Sequence, residues 1–203
     1  MNIAVLASGS GTTLQYLIDH SQKNPDDFQV QIVGSDRVCP AIFRAIEVDI
    51  PVVDYKEVFN CKSIDIVCLA GFLKKIHIDH NWNRRVINIH PALLPAFGGE
   101  GMYGMKVHEA VLRAGVLYTG CTIHLCDNKY DTGPIIHQEI VPIKLDWTAE
   151  DISTEVQRIE KKAYVKVLKA ISEAHEEGRA YDCIFDATNS FNRNLIKNKL
   201  RTP

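Results

Sequence analysis

The 203-residue chain lacks any run of about 18 apolar residues, so no membrane-spanning helix is expected. It lacks a charge excess: 23 basic against 25 acidic residues leave a net charge of -2, with no global pull toward nucleic acid or membrane. It lacks a charged leader, since Met1-Asn2-Ile3-Ala4-Val5 reads as the start of a strand and not as a signal peptide. Six cysteines are scattered without a C-x-x-C or a metal-type pairing. Reduced thiols in a cytoplasmic protein are the simplest account. Internal repeats and low-complexity stretches are also missing. The one local imbalance is the tail, where Arg193, Lys197, Lys199 and Arg201 face only Asp186, and that reads as a solvated end.

What is present is an average globular composition, 46% hydrophobic and 24% charged, on a length that suits one domain. Short β-branched runs alternate with helical patterns through the first two-thirds. Strands are expected over Ile3–Ala7, Gln29–Gly34, Pro51–Asp54, Ile64–Ala70 and Val86–His90, and helices at about 12–23, 39–48, 72–81 and 104–114. The nearly continuous apolar run of Ile64–Ala70 suits a strand covered on both faces. Tyr118–Cys126 and Ile135–Ile143 are joined by a short polar turn, which implies an antiparallel pair. A long helix follows, capped by Thr148 with Asp151 and striped by Ile152, Val156, Ile159, Ala163 and Val167. The expected fold is three-layer α/β: a mostly parallel central sheet with helices on both faces and an antiparallel pair near its C-terminal part. One domain is expected over residues 1–180, with a tail over 181–203.

Four elements can carry chemistry. The loop Ser8-Gly9-Ser10-Gly11-Thr12-Thr13 joins a strand to a helix, where small residues and free N–H groups favour an anion. Leu14 stands at the third glycine of a dinucleotide fingerprint, and no G-K-[ST] follows, so a small phosphate monoester is the better guess. A plain capped turn is the bland alternative. Asn88 and His90 share one face of a strand that Pro91 ends, at the edge where open α/β sheets bind ligands. Spacing alone leaves a structural Asn/His pair open. Asp131, before Thr132-Gly133-Pro134, either shapes a turn or reaches His90 to raise its pKa and fix its tautomer. Gln157, Glu160 and Tyr164 form one line beside the apolar stripe, and Glu160 is either a ligand grip or a surface charge paired with Lys161 or Lys162.

Weaker candidates remain. His77-Ile78-Asp79-His80 invites a metal reading, but no third ligand is evident and a solvated helix end is preferred. Cys121 points away from His124 and Cys126, so these three form no compact ligand set. Gly98, Gly99, Gly101 and Gly104 mark a loop that is a lid or a linker.

In this order the segments resemble the glycinamide ribonucleotide formyltransferases of purine synthesis. The matching stretches are N-I-A-V-L-A-S-G-S-G-T-T-L, V-C-L-A-G-F-L-K-K-I, V-I-N-I-H-P-A-L-L-P-A-F-G-G, T-G-C-T-I-H-L-C-D-N-K-Y-D-T-G-P-I-I and V-Q-R-I-E-K-K-A-Y. The N-x-H-P-[SA]-L-L-P block with a later D-x-G-P is the most specific part. The resemblance implies 10-formyltetrahydrofolate as formyl donor, glycinamide ribonucleotide as acceptor and no metal. It implies catalytic Asn88, His90 and Asp131, with His90 protonated beside Asp131. Gly11, Thr12, Thr13, Gln157 and Glu160 would hold the nucleotide. Leu73, Lys74, Lys75, Ile76 and Asn88, with Asp127, Asn128, Lys129, Tyr130 and Asp131, would line the folate pocket.

Two departures from the family pattern touch the folate side. The stretch between Asp54 and Ile64 is short, which removes sheet cover, and Lys74 stands where an Arg is common. The expected partners are small molecules, with no nucleic acid or membrane, in a monomer or homodimer. Methionyl-tRNA formyltransferase and formyltetrahydrofolate hydrolase are rival readings, each expected to carry a further domain. A binding protein that has lost turnover and a nicotinamide dehydrogenase are the rivals outside the family.

Overall fold

The computed structural model describes residues 1–177. The expected tail, with Cys183, Asp186 and the basic residues after it, lies outside the described residues. The elements run β1 (Asn2–Leu6), α1 (Thr12–Lys23), β2 (Gln29–Ser35), α2 (Pro40–Ile46), β3 (Val52–Asp54), α3 (Tyr55–Val58), β4 (Ile66–Leu69), β5 (Val86–His90), α4 (Met105–Ala114), β6 (Tyr118–Leu125), β7 (Ile135–Pro142) and α5 (Ala149–Glu176).

One seven-stranded sheet has the order β3-β2-β1-β4-β5-β6-β7. The first five strands pair in parallel, and β6 and β7 add antiparallel at one edge. The mixed sheet expected from the short β6–β7 turn is therefore present. The chain builds outward from β1 to β3, then returns to place β4 on the other side of β1. That reversal splits the loops after β1 and β4 to opposite faces and opens a crevice at their carboxyl ends.

Alternation along β1, β4 and β5 divides the core in two. Ile3, Val5, Ile66, Cys68, Ile87 and Ile89 pack with α1 and α5. Ala4, Leu6, Val67, Leu69 and Val86 pack on the opposite face with Val58, Ile64, Phe72, Ile76, Ile78 and Trp82. Helix α5 is anchored twice. Thr148 and Asp151 form a reciprocal capping box at its start. Further along, the fully buried Tyr164 hydroxyl lies 3.1 Å from Leu69 O and 3.2 Å from Ile87 O, at the ends of β4 and β5.

Two expectations are corrected. Residues 72–81 form no helix. Ile76 and Ile78 are buried while Lys75, His77 and Asp79 are exposed, a period of two that a helix cannot serve. The backbone there is held by others: Ser8 Oγ accepts from Leu73 N–H at 3.1 Å, and Asn128 Oδ1 accepts from Ile78 N–H at 2.9 Å. Nor is the sheet left uncovered by the short stretch after Asp54. The one-turn helix α3 and this extended segment close that face, with Trp82 set edge-on against Phe59 at 5.4 Å.

Candidate functional site

The carboxyl ends of β1, β4 and β5 open into a cavity of about 690 Å³, a size that suits a small-molecule site. Its walls come from the glycine loop, residues 69–76, the loop 99–105, residues 124–131 and the α5 side chains Ser153, Gln157 and Glu160. Asn88 and His90 project into it from β5.

At one side four polar side chains converge. Register pairs Asn88 with His124 across β5 and β6, and Asn88 Nδ2 lies 3.0 Å from His124 Nε2. His124 Nδ1 lies 2.9 Å from Leu125 O, so Nδ1–H donates there, and Nε2 accepts from Asn88 in the neutral ring or donates toward Asp131 in the protonated one. Asp131 closes the group. Its Oδ1 is 3.5 Å from both Asn88 Nδ2 and His124 Nε2, and its Oδ2 is 3.5 Å from His90 Nδ1. Gly99 N–H donates to the same Oδ2 at 2.9 Å. Asp131 adopts φ 56, a left-handed turn position that Asp tolerates better than most residues. The turn role and the reach to His90, weighed as alternatives from sequence, are both fulfilled.

The charges follow from these contacts. Burial alone pushes the Asp131 carboxyl up, but His124, His90 and the Gly99 N–H together hold it below its ordinary value. It is a carboxylate at neutral pH. His90 is 3% exposed, and its burial outweighs the pull of Asp131 and of the Phe97 carbonyl, which accepts from Nε2 at 2.8 Å. Its pKa therefore falls below the usual imidazole value. The Asp131 carboxylate is close and raises it, but desolvation is the larger effect.

Across the cavity the electrostatics invert. Glu160 is 7% exposed, and among the described residues no donor or cation bonds its carboxyl. Burial pushes its pKa up to about 8, against a weak opposing pull from Lys161. The alternative of a surface charge paired with Lys161 or Lys162 is thereby removed. Gln157, one turn earlier, donates to Ser153 Oγ at 3.1 Å.

The other expected residues divide. Gly11, Thr12 and Thr13 line the cavity, as do Leu73, Lys74, Lys75, Ile76, Asp127, Lys129 and Tyr130. Lys74 sits 5.6 Å from the Tyr55 ring centre and Lys75 6.0 Å from that of Tyr130. Asn128 does not join them: its side chain turns back to clasp the backbone of Ile78. The glycine-rich loop after Pro95 proves to be a cavity wall through Gly99–Gly104. Cys121 packs in the core while His124 and Cys126 reach the cavity, as alternation required. Among the described residues no group of His, Cys, Asp and Glu is placed to hold a metal.

Sequence reasoning missed two histidines. His124 was visible only as half of a rejected metal motif; the signal was its position opposite Asn88, which needs the register of β6. His108 on α4 is 2% exposed, lines the cavity and has no partner for Nδ1 among the described residues. Burial, and then the nearby His90, bring its pKa down to about 4, so it is a neutral imidazole.

Comparison with known proteins follows the same lines. Residues 1–168 match the family model described as formyl transferase. The chain is 35% identical over 189 residues to a chloroplastic phosphoribosylglycinamide formyltransferase of Vigna unguiculata, covering 84% of this chain and 61% of that protein. It is 37% identical over 188 residues to the trifunctional purine biosynthetic protein adenosine-3 of Bos taurus, covering 84% of this chain but 18% of that one. The chain thus spans about three-fifths or less of these curated relatives. Among solved structures, glycinamide ribonucleotide transformylase 1 from Symbiobacterium toebii superposes with a TM-score of 0.76 at 30% identity, over 86% of this chain and 88% of the other.

Proposed function

Because the chain belongs to the formyl transferase family, we propose that it transfers the formyl group of 10-formyltetrahydrofolate to the amine of glycinamide ribonucleotide. The product is the formylated nucleotide, an intermediate of purine biosynthesis. The observation that carries this reading is one cavity with two unlike sides. A hydrogen-bonded Asn88/His90/Asp131/His124 group faces a buried, unpartnered Glu160, with a glycine loop at the nucleotide end.

In this reading the folate supplies the formyl carbon, bound between residues 73–76 and 127–131. The neutral amine of the nucleotide forms the new C–N bond as the bond from that carbon to N10 breaks. One proton passes from the amine to N10. Asn88 and His90 stand where the formyl oxygen gains negative charge. The long Asn88–Asp131 contact leaves one amide N–H free to turn to that oxygen. His90 begins with a lowered pKa, and with Asp131 ionised beside it the ring can take up the one proton that the amine releases before that proton passes to N10. Glu160 is suited to the glycyl amine: a cation or N–H group is what this buried carboxyl lacks. Gly11, Thr12 and Thr13 would bind the phosphate and Gln157 the nucleotide.

We take residues 1–180 as one formyltransferase domain acting on small molecules, as a monomer or homodimer and with no metal. A single sheet running from β1 to β7 supports the first point. Among the described residues no helix is long and apolar enough to cross a membrane. The five cysteines among the described residues are free, which suits a reducing compartment that we take to be the cytoplasm. The test is direct. Purified protein is mixed with glycinamide ribonucleotide and 10-formyltetrahydrofolate, and the deformylated folate is followed by absorbance. No product at high enzyme concentration, with binding of the nucleotide retained, would replace this reading with that of a binding protein.

A further inference from the structure

The glycine loop is shaped from behind by α2. Ala41 N–H donates to Gly9 O at 3.1 Å, and Arg44 Nε donates to Ser10 O at 2.8 Å. In a trans peptide the C=O and N–H point in opposite directions. With the Gly9 and Ser10 carbonyls both turned onto α2, the N–H groups of Ser10 and Gly11 turn away from it. Among the described residues no acceptor bonds the N–H of Ser10, Gly11, Thr12 or Thr13, and α1 has no side-chain cap. Gly11 adopts φ 71, and a Cβ there would meet Ala41 Cα at 2.7 Å and Arg44 Cδ at 3.2 Å. The packing leaves no room for another residue.

Arg44 differs from the lysines that line the cavity and from its neighbour Arg37. Lys74, Lys75 and Lys129 line other walls. Arg37, close in sequence, is held by Asp36 at 2.7 Å. Arg44 bonds only neutral oxygens, Ser10 O and, at 3.3 Å, Gln15 Oε1, and among the described residues it has no carboxylate partner. A cation on a peptide oxygen polarises that peptide and strengthens its N–H as a donor. Four N–H groups carry only partial charges; a phosphate monoester near neutral pH carries close to two negative ones.

We propose that Arg44 is the positioning residue of the phosphate subsite, fixing the loop carbonyls outward and supplying, from outside the cavity, the positive charge that the subsite's own lining lacks. The inference rests on reading the glycine loop as that subsite. It predicts that Arg44 acts on the phosphate and leaves the rest of the substrate alone.

Calorimetry separates these. Glycinamide ribonucleotide and its dephosphorylated riboside are each titrated into wild type, Arg44→Gln and Arg44→Lys, with folding checked by thermal unfolding. Arg44→Gln is expected to weaken nucleotide binding roughly tenfold while the riboside constant stays within about twofold, as for loss of one charge-assisted contact. Turnover at saturating nucleotide and KM for the folate should change by no more than a few-fold. Arg44→Lys keeps the charge without the planar fork and should recover part of the preference for nucleotide. A folded Arg44→Gln that prefers nucleotide over riboside as strongly as wild type does would overturn the inference. Should Arg44→Gln not fold, Arg44→Lys decides: a reduced preference supports the assignment and an unchanged one overturns it. A wild type that binds riboside as tightly as nucleotide removes the phosphate subsite itself, a different failure.

Discussion

Two carboxyl groups, one buried and one partly buried, face one cavity and are held in opposite states. Asp131 lies among Asn88, His90, His124 and the Gly99 N–H, and is held ionised. Glu160 on α5 has burial without partners among the described residues and is pushed up to about 8. The same functional group thus performs two tasks, because the local donors, and not depth alone, decide which charge state is stable. In the proposed reaction Asp131 would stabilise a cationic imidazole. Glu160 is left incomplete until a cation or N–H donor arrives.

The contrast is most severely tested at His90, where the ionised side meets the chemistry. His90→Ala should lower kcat on the order of 100-fold or more, measured at saturating concentrations of both substrates. A value within a few-fold of wild type would remove the Asn88/His90/Asp131 group from the mechanism.

Glu160→Gln probes the other side and should act on binding and stability in opposite directions. KM for the nucleotide should rise about tenfold, for loss of a charge-assisted contact between the carboxylate and the amine N–H. The folded protein holds the Glu160 proton up to about pH 8, whereas the unfolded chain releases it near 4.5. Wild type therefore loses stability as pH rises between those values, and the loss is complete above about 8. At pH 9 the glutamine variant should be more stable by roughly 2–4 kcal/mol, with no such gain at pH 4. Denaturant melts that show equal stability of the two proteins at pH 9 would mean the carboxyl is not isolated.

Asp131→Asn has the opposite sign. The folded pKa is depressed, so its contribution is present above the unfolded pKa and is lost as pH falls through the folded one. Wild type should approach the variant in stability toward pH 2 and exceed it near neutrality. An acid branch that does not differ between them would show that the surrounding donors do little for the carboxylate.

The smallest effect is expected on the folate wall. Lys74→Arg offers a planar fork where a single ammonium now sits over Tyr55. KM for the folate should fall by no more than a few-fold, with kcat unchanged. A large change in kcat would place Lys74 with the reacting groups.

Much of this architecture was legible from residue pattern. The mostly parallel sheet follows from alternating β-branched runs and helical periods, and the antiparallel edge from the short polar turn before Ile135. Asn88 and His90 were placed together because strand alternation puts them on one face. The helix expected at 72–81 was not there, since only the burial of Ile76 and Ile78 against the sheet reveals a period of two. The family resemblance placed Asn128 in the folate wall, yet its side chain serves Ile78. His124 required the register of β6 on β5, which depends on contacts distant along the chain.

The sequence by itself determined most of the elements, the glycine loop, and the identities of Asn88, His90, Asp131 and Glu160, because local steric and hydrophobic periods are written in neighbouring residues. Only the tertiary structure decided their charge. A pKa depends on which donors and how much water surround a group. Those neighbours come from β5, β6, α5 and the loop at Gly99, segments that meet only once the chain has folded.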